Sequence, residues 1–221
     1  LEGIMKNLDT IGSSIYKQIK NDIIFGKLPP SEKLKLDSLK KRYPASLSTL
    51  RETLNRLASE GFVLAEEQRG FFVTPCTKED LIEIANLRIL LESHAINLSF
   101  KNGDTDWEGN LVAAHHKLSL METRMEQKED GIIETWKQYD CDFHLACIKA
   151  CGSNNLLRLH SNLFDRYLRY QFVVLNYRGQ EAINEHHEIF QAGLKRDAVK
   201  ANKFLKVHID KGVENALLNF S

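Results

Sequence analysis

The chain has 221 residues, 43% hydrophobic and 27% charged, enough to bury one large core or two small ones and too apolar for wholesale disorder. Its 30 Lys and Arg balance its 30 Asp and Glu, but the zero hides an uneven distribution. No run approaches the roughly 18 apolar residues of a membrane span, and no basic, apolar and small-residue start reads as a secretory signal, so a cytoplasmic protein without membrane contact is expected.

Residues 1–76 hold 12 Lys+Arg against 9 Asp+Glu, and 77–221 hold 18 against 21. Within 33–56, Lys33, Lys35, Lys40, Lys41, Arg42, Arg51 and Arg56 face only Asp37 and Glu52. That local excess points to a polyanion partner for the N-terminal part, although a charged run is often just a solvated face. Cys76, Cys141, Cys147 and Cys151 form neither a Cys-x-x-Cys pair nor a disulfide framework, and read as small buried hydrophobes in a reducing compartment.

Ile11, Ile15, Ile19 and Ile23 recur every fourth residue, predicting an amphipathic helix over 10–26 that Gly26 ends and Pro29-Pro30 keeps from restarting. A second helix, 36–43, turns Leu36, Leu39 and Tyr43 inward and stops at Pro44. Ser46 is a good N-cap for a third, 47–60, which buries Leu50, Leu54 and Leu57 and exposes Ser48, Arg51 and Asn55. After Gly61, two apolar runs flank a polar turn ending in Arg69-Gly70, the pattern of a hairpin. Helix, helix, short turn, helix, hairpin is the order of a winged helix-turn-helix, whose recognition helix enters the DNA major groove. Arg51 can meet guanine bidentately, and Ser48 or Asn55 can reach base edges or phosphates. Such a domain can also serve protein contacts only.

The segment from Leu39 to Val63 resembles the recognition region of the GntR family of bacterial transcription regulators. The matching residues are Leu39, Arg42, Tyr43, Ser46, Leu50-Arg51-Glu52, Leu54, Arg56-Leu57 and Glu60-Gly61, and Arg69-Gly70-Phe71-Phe72-Val73 is similar to the family's wing. The resemblance implies DNA contacts by Ser46, Ser48, Thr49, Arg51, Asn55, Arg69 and Gly70. Pro44, Leu47 and Thr49 depart from the Gly, Arg and Pro often found at these places. The Arg missing at 47 is usually a DNA contact, so operator preference is expected to differ.

From Thr77, which opens a capping-box pattern with Asp80, six helices are predicted at 77–101, 105–127, 130–151, 153–176, 180–195 and 197–220. No alternating strand pattern occurs, which gives a mainly α chain: a winged helix-turn-helix over 5–76 and an antiparallel helical bundle over 77–221. Polar groups interrupt the apolar stripes of this bundle. Asp140 and His144, one turn apart, share a face with Ile133, Trp136, Cys147 and Cys151. His186 sits with Ile183, Ile189 and Phe190, and His208 with Ala201, Phe204 and Leu205. A buried carboxylate must be paired or hold a metal, and Asp plus three His suits a borderline divalent cation. The plain alternative is four unrelated residues, each satisfied by a neighbour.

This half resembles the FCD effector domain of the FadR subfamily in its shorter, VanR-like form. The marks are Leu87-Arg88 with Leu91-Glu92, Asp140-Cys141-Asp142-Phe143-His144, Cys151 to Leu157, Glu185-His186-His187-Glu188-Ile189 and Phe204 to His208. The resemblance implies that Asp140, His144, His186 and His208 bind a divalent ion (Zn, Ni or Mn), whereas His94, His115, His116, His160 and His187 remain surface or packing residues. It further implies a small organic acid at or beside the metal, as in the CsiR branch, which responds to glutarate-like acids. Arg88 is the first candidate to meet a second carboxylate, with Arg169 and Tyr170 next. A helix-surface pair of Arg88 with Glu92 is the plain alternative. The expected protein is a homodimer reading a palindromic operator, a repressor released by its ligand, with no catalytic residue. A metal-dependent hydrolase with an accessory winged helix is the competing class, and a structural adaptor the third.

Overall fold

The computed structural model describes residues 11–173 and 177–220, and the chain divides between Cys76 and Thr77 into two compact units. The predicted segments that reach into 5–10 and 174–176 lie partly outside the described residues.

The first unit contains α1 (Ile11–Ile24), β1 (Lys33–Leu34), α2 (Leu36–Arg42), α3 (Leu47–Ser59), β2 (Val63–Glu66) and β3 (Gly70–Val73). α1 buries Ile15, Ile19, Ile23 and Ile24, and α3, which packs on it, buries Leu50, Leu54 and Leu57. Each such side chain contributes about 1.5–3 kcal/mol when fully buried. Asp22 ties α2 to α1 by accepting from the Tyr43 hydroxyl at 2.6 Å and from Arg42 Nη2 at 2.8 Å. The Ser46 hydroxyl caps α3 by accepting from the Thr49 amide at 3.1 Å. β2 and β3 form the expected hairpin, with Val63 opposite Val73 and Glu66 opposite Gly70. The sheet also has a third strand that the sequence did not suggest. β1 pairs antiparallel with β3 and gives the order β1-β3-β2, but a strand of two residues is too short to show alternation.

The second unit is all helical among the described residues: α4 (Lys78–Asn102), α5 (Thr105–Glu126), α6 (Ile133–Ile148), α7 (Asn154–Val173), α8 (Gln180–Leu194) and α9 (Ala198–Leu218). Thr77 caps α4 by accepting from the Asp80 amide at 3.1 Å, and Asp197 caps α9 by accepting from Lys200 at 2.9 Å. α4 packs on α9, and Leu81, Ile84, Ile96 and Phe100 of α4 and Leu205 and Ile209 of α9 are buried. At Gly193 a Cβ would stand 2.7 Å from Leu111 Cδ2, so only glycine lets α8 approach α5 this closely. α6 starts later than expected, and Ile133 is a correction: it is 49% exposed, not part of the buried Asp140 face. It is the first residue of its helix, and the preceding Ile132 takes the buried place. No helix among the described residues is long and apolar enough to cross a membrane.

Candidate metal centre and DNA-binding face

α6 carries Asp140 and His144 one turn apart, α8 carries His186, and α9 carries His208. One ligand atom from each lies within 4.8 Å of all the others. His186 Nε2 is 3.1 Å and His144 Nε2 3.9 Å from Asp140 Oδ1. Neither contact has hydrogen-bond geometry, so both ring nitrogens are buried without a partner. Orphaned buried nitrogens are costly unless something takes their lone pairs.

Behind each imidazole stands a buried glutamate. His144 Nδ1 is 2.9 Å from Glu92, His186 Nδ1 2.6 Å from Glu122, and His208 Nδ1 3.0 Å from Glu185. A carboxylate only accepts, so each Nδ1–H donates outward and Nε2 is the nitrogen left to coordinate. Glu92 also accepts from Arg88 Nε at 2.7 Å, with His160 Nε2 at 3.2 Å. Glu185 accepts from Arg178 Nη2 at 2.7 Å. That same nitrogen lies 3.1 Å from His208 Nδ1, and Glu185 is the acceptor that the two donors share.

Burial and the neighbouring His186 push His208 down to about 3, and burial lowers His144 as well, so both imidazoles are neutral. Burial disfavours the charged form of His186 too, but Asp140 and Glu122 on its two sides outweigh this and raise it to about 9. Despite their own burial, Glu92 is held well below the usual carboxylate range by Arg88 and His144, and Asp140 is lowered by the close approach of the His186 ring. Two neutral imidazoles, a third that gives up a proton, and an ionised carboxylate fit a borderline divalent cation.

Beside the four ligands lies a cavity of about 30 Å³, lined among others by Trp136, Tyr167, Gln171 and Arg178. That is room for one or two waters, not for an organic acid without rearrangement. Gly212 makes space for the Tyr167 ring, since a Cβ there would stand 2.7 Å from the hydroxyl.

In the first unit, Ser48, Arg51 and Asn55 are exposed along α3, and Thr49 is half-buried. Ser46 is exposed, with its oxygen serving the helix cap. At the tip of the wing, Gln68 and Gly70 take positive φ, and Arg69 is exposed beside Glu66. Pairing β1 to the wing brings Lys33 and Lys35 to one concavity with Arg51 and Gly70, two cations that the sequence reading did not assign to this face.

Residues 11–73 match the model of bacterial regulatory proteins of the gntR family, and residues 83–211 match the FCD domain. The chain belongs to the GntR family, with an FCD domain. It is 32% identical over 209 residues to BphR, an HTH-type transcriptional regulator of Paraburkholderia xenovorans (strain LB400), across 94% of this chain and 85% of that one. It is 31% identical over 200 residues to the HTH-type transcriptional repressor GlaR of Escherichia coli (strain K12), across 88% and 90%. Among solved structures, E. coli McbR/YncC superposes with a TM-score of 0.80 at 21% identity, over 96% of this chain and 99% of that one. A GntR regulator from Rhodococcus sp. RHA1 superposes at 0.77 and 20% identity, over 95% and 99%. These two likenesses concern the fold. The GntR protein described here is a transcriptional regulator with a DNA-binding winged helix and an effector-binding FCD domain, not an enzyme.

Within this GntR regulator the effector candidates separate. Arg88 does pair with Glu92, but the pair is 1% exposed at both residues, which corrects the helix-surface alternative. Its guanidinium lies against the rings of Phe164 and Tyr167, 4.2 and 4.4 Å away, and Nη2 has no partner. Arg169 and Tyr170 are buried on α7 but do not line the cavity, and the Tyr170 hydroxyl donates to Asp80 at 2.6 Å instead. Tyr167, Gln171 and Arg178 line it in their place. Glu122 and Glu185 were not singled out in the sequence, and His160, expected as a surface or packing residue, is buried. The signal was the one that marked Asp140, a polar residue on a buried stripe, as with Glu122 beside Leu118 and Met121.

Proposed function

We propose that this GntR regulator is a cytoplasmic repressor that binds a palindromic operator as a homodimer and is released by a small organic acid held at or beside a metal in its FCD domain. The observation that carries the reading is the convergence of Asp140 with three imidazoles within 4.8 Å, each imidazole oriented by its own glutamate. Asp140, His144, His186 and His208 would hold a divalent ion such as Zn, Ni or Mn, with Glu92, Glu122 and Glu185 fixing the ring orientations. When bound, that ion supplies a Lewis-acidic point for one carboxylate oxygen of the ligand. Arg178 and Tyr167 line the space beside it and would orient the rest of the acid. In the winged unit, Arg51 would read base edges with Ser48 and Asn55, Ser46 and Thr49 would meet the backbone at the start of α3, and Arg69 and Gly70 would bring the wing to the DNA.

A repressor role is supported by the E. coli relative, which is named a repressor. A dimer is supported by Ile82, Leu87 and Leu90, large apolar side chains that α4 leaves exposed within about two turns. Ligand control requires that the acid bind one dimer arrangement better than the other.

Titration of the full chain against DNA from upstream of its own coding region, by fluorescence anisotropy at several salt concentrations, tests the reading. Saturable binding well above that of scrambled DNA is expected, weakening with salt as phosphate contacts demand and released by an added acid. Arg51→Ala should abolish the preference while the thermal melt stays unchanged. Equal affinity of wild type for both DNAs overturns the operator reading.

A further inference from the structure

We propose that His115 and His187 form a second site for a divalent transition ion, on the surface of the FCD domain between α5 and α8. The proposal depends neither on an ion at the Asp140 centre nor on an organic acid.

His115 lies on α5 and His187 on α8, two helices that pack together. Their ring centroids are 5.8 Å apart. The three imidazoles that converge on the candidate metal centre stand 4.4, 5.4 and 5.8 Å from one another. The new pair is therefore spaced like rings already placed to share an ion. It is not part of that centre, whose ligand atoms converge without either residue. The buried Phe143 ring packs against both His115 and His186, at 5.7 and 5.6 Å.

Three features suit this pair to an ion. The His115 ring is stacked on Phe190, with centroids 4.0 Å apart and planes 5° from parallel, so one ligand is held in place before binding. Neither imidazole makes a hydrogen bond or ion pair among the described residues, and with His115 half-buried and His187 exposed, an ion can reach both from solvent. Burial and the neighbouring His187 lower His115 to about 4, so a neutral ring offers its lone pair at pH 7. His187, being exposed, can turn its ring to complete the pair. Two imidazoles with water in the remaining positions suit nickel, copper or zinc, not magnesium or calcium, which take oxygen ligands. An ion held there would join α5, which carries Glu122, to α8, which carries His186.

The test is isothermal titration calorimetry of the full chain, stripped with a chelator, against nickel chloride at pH 7. Nickel is chosen because the four free thiols do not reduce it. One equivalent of nickel should be lost, or weakened about tenfold or more, in His187→Gln and equally in His115→Phe. The phenylalanine keeps the stack on Phe190 and removes only the nitrogens. His208→Gln should leave that equivalent in place while removing the separate one at the Asp140 centre. Nickel binding that neither His187→Gln nor His115→Phe weakens overturns the proposal. Loss in His187→Gln without loss in His115→Phe points to the adjacent His186 and overturns it as well. If His115→Phe fails to fold, His187→Gln decides, read against an unchanged affinity of the equivalent that His208→Gln removes. A single equivalent that survives His208→Gln and is lost with the surface pair would defeat the reading of the Asp140 centre and leave this one standing.

Discussion

Each imidazole of the candidate metal centre leans on its own glutamate, so changing a glutamate probes the site without touching a proposed ligand. Glu122→Gln keeps the shape of the side chain but cannot hold the His186 Nδ1 proton as firmly. Metal affinity, measured by competition with a chromogenic chelator at pH 7, is expected to fall about 10- to 100-fold. An affinity within twofold of wild type would remove Glu122 from the site. Asp140 and Glu122 together set a pH dependence when the ion is stripped. His186 is raised from 6.5 to about 9, so its contribution to stability is complete below pH 6.5 and is lost as pH rises through 9. Lys137, lowered from 10.5 to about 7, acts in the opposite sense, its contribution growing from pH 7 to 10.5. Glu122's share of the His186 part is therefore the difference between wild type and Glu122→Gln in melts of the chelator-treated protein across pH 6.5–9. Parallel curves would show that Glu122 does not help His186 hold the extra proton.

At the scale of elements, α3 joins folding to recognition through its first turn. Ser46→Ala removes the oxygen that accepts from Thr49, and should cost the winged unit about 1 kcal/mol in a denaturant melt. Leu47, the next residue, is 40% exposed where the family resemblance leads one to expect an arginine. Leu47→Arg should tighten binding to any duplex and steepen the salt dependence by about one unit of slope. An unchanged slope would put position 47 off the DNA. Most elements were legible in the sequence because their signals are local: isoleucines every fourth residue in α1, a serine cap on α3, and glycines between the helices of the bundle. β1 was not, because two residues carry no period and only the β3 backbone beside them makes them a strand. The late start of α6 escaped for a related reason, since Ile132 carries no capping side chain to mark it.

For the molecule as a whole, the proposed two-fold operator would require two copies of the chain. Leu90, 65% exposed on α4 and near the exposed Ile82 and Leu87, is the residue through which to test the proposed dimer face. Leu90→Glu should shift sedimentation towards the monomer and weaken operator binding without lowering helix content. A dimer of undiminished strength would move the interface elsewhere.

The sequence by itself determined the order of the helices and the four polar residues on buried stripes that the family resemblance joined into one candidate metal site. Each of these depends on spacing along the chain, which periodicity and motif preserve. The tertiary structure decided what surrounds them. Glu92, Glu122 and Glu185 reach their histidines from 52, 64 and 23 residues away, so packing of helices alone sets those pairings. It also turned Arg88 into a buried ion pair, kept Tyr170 out of the cavity, and buried Lys137 against the Phe172 ring. A residue's type declares which bonds it can make, but only the fold decides which partner is within reach.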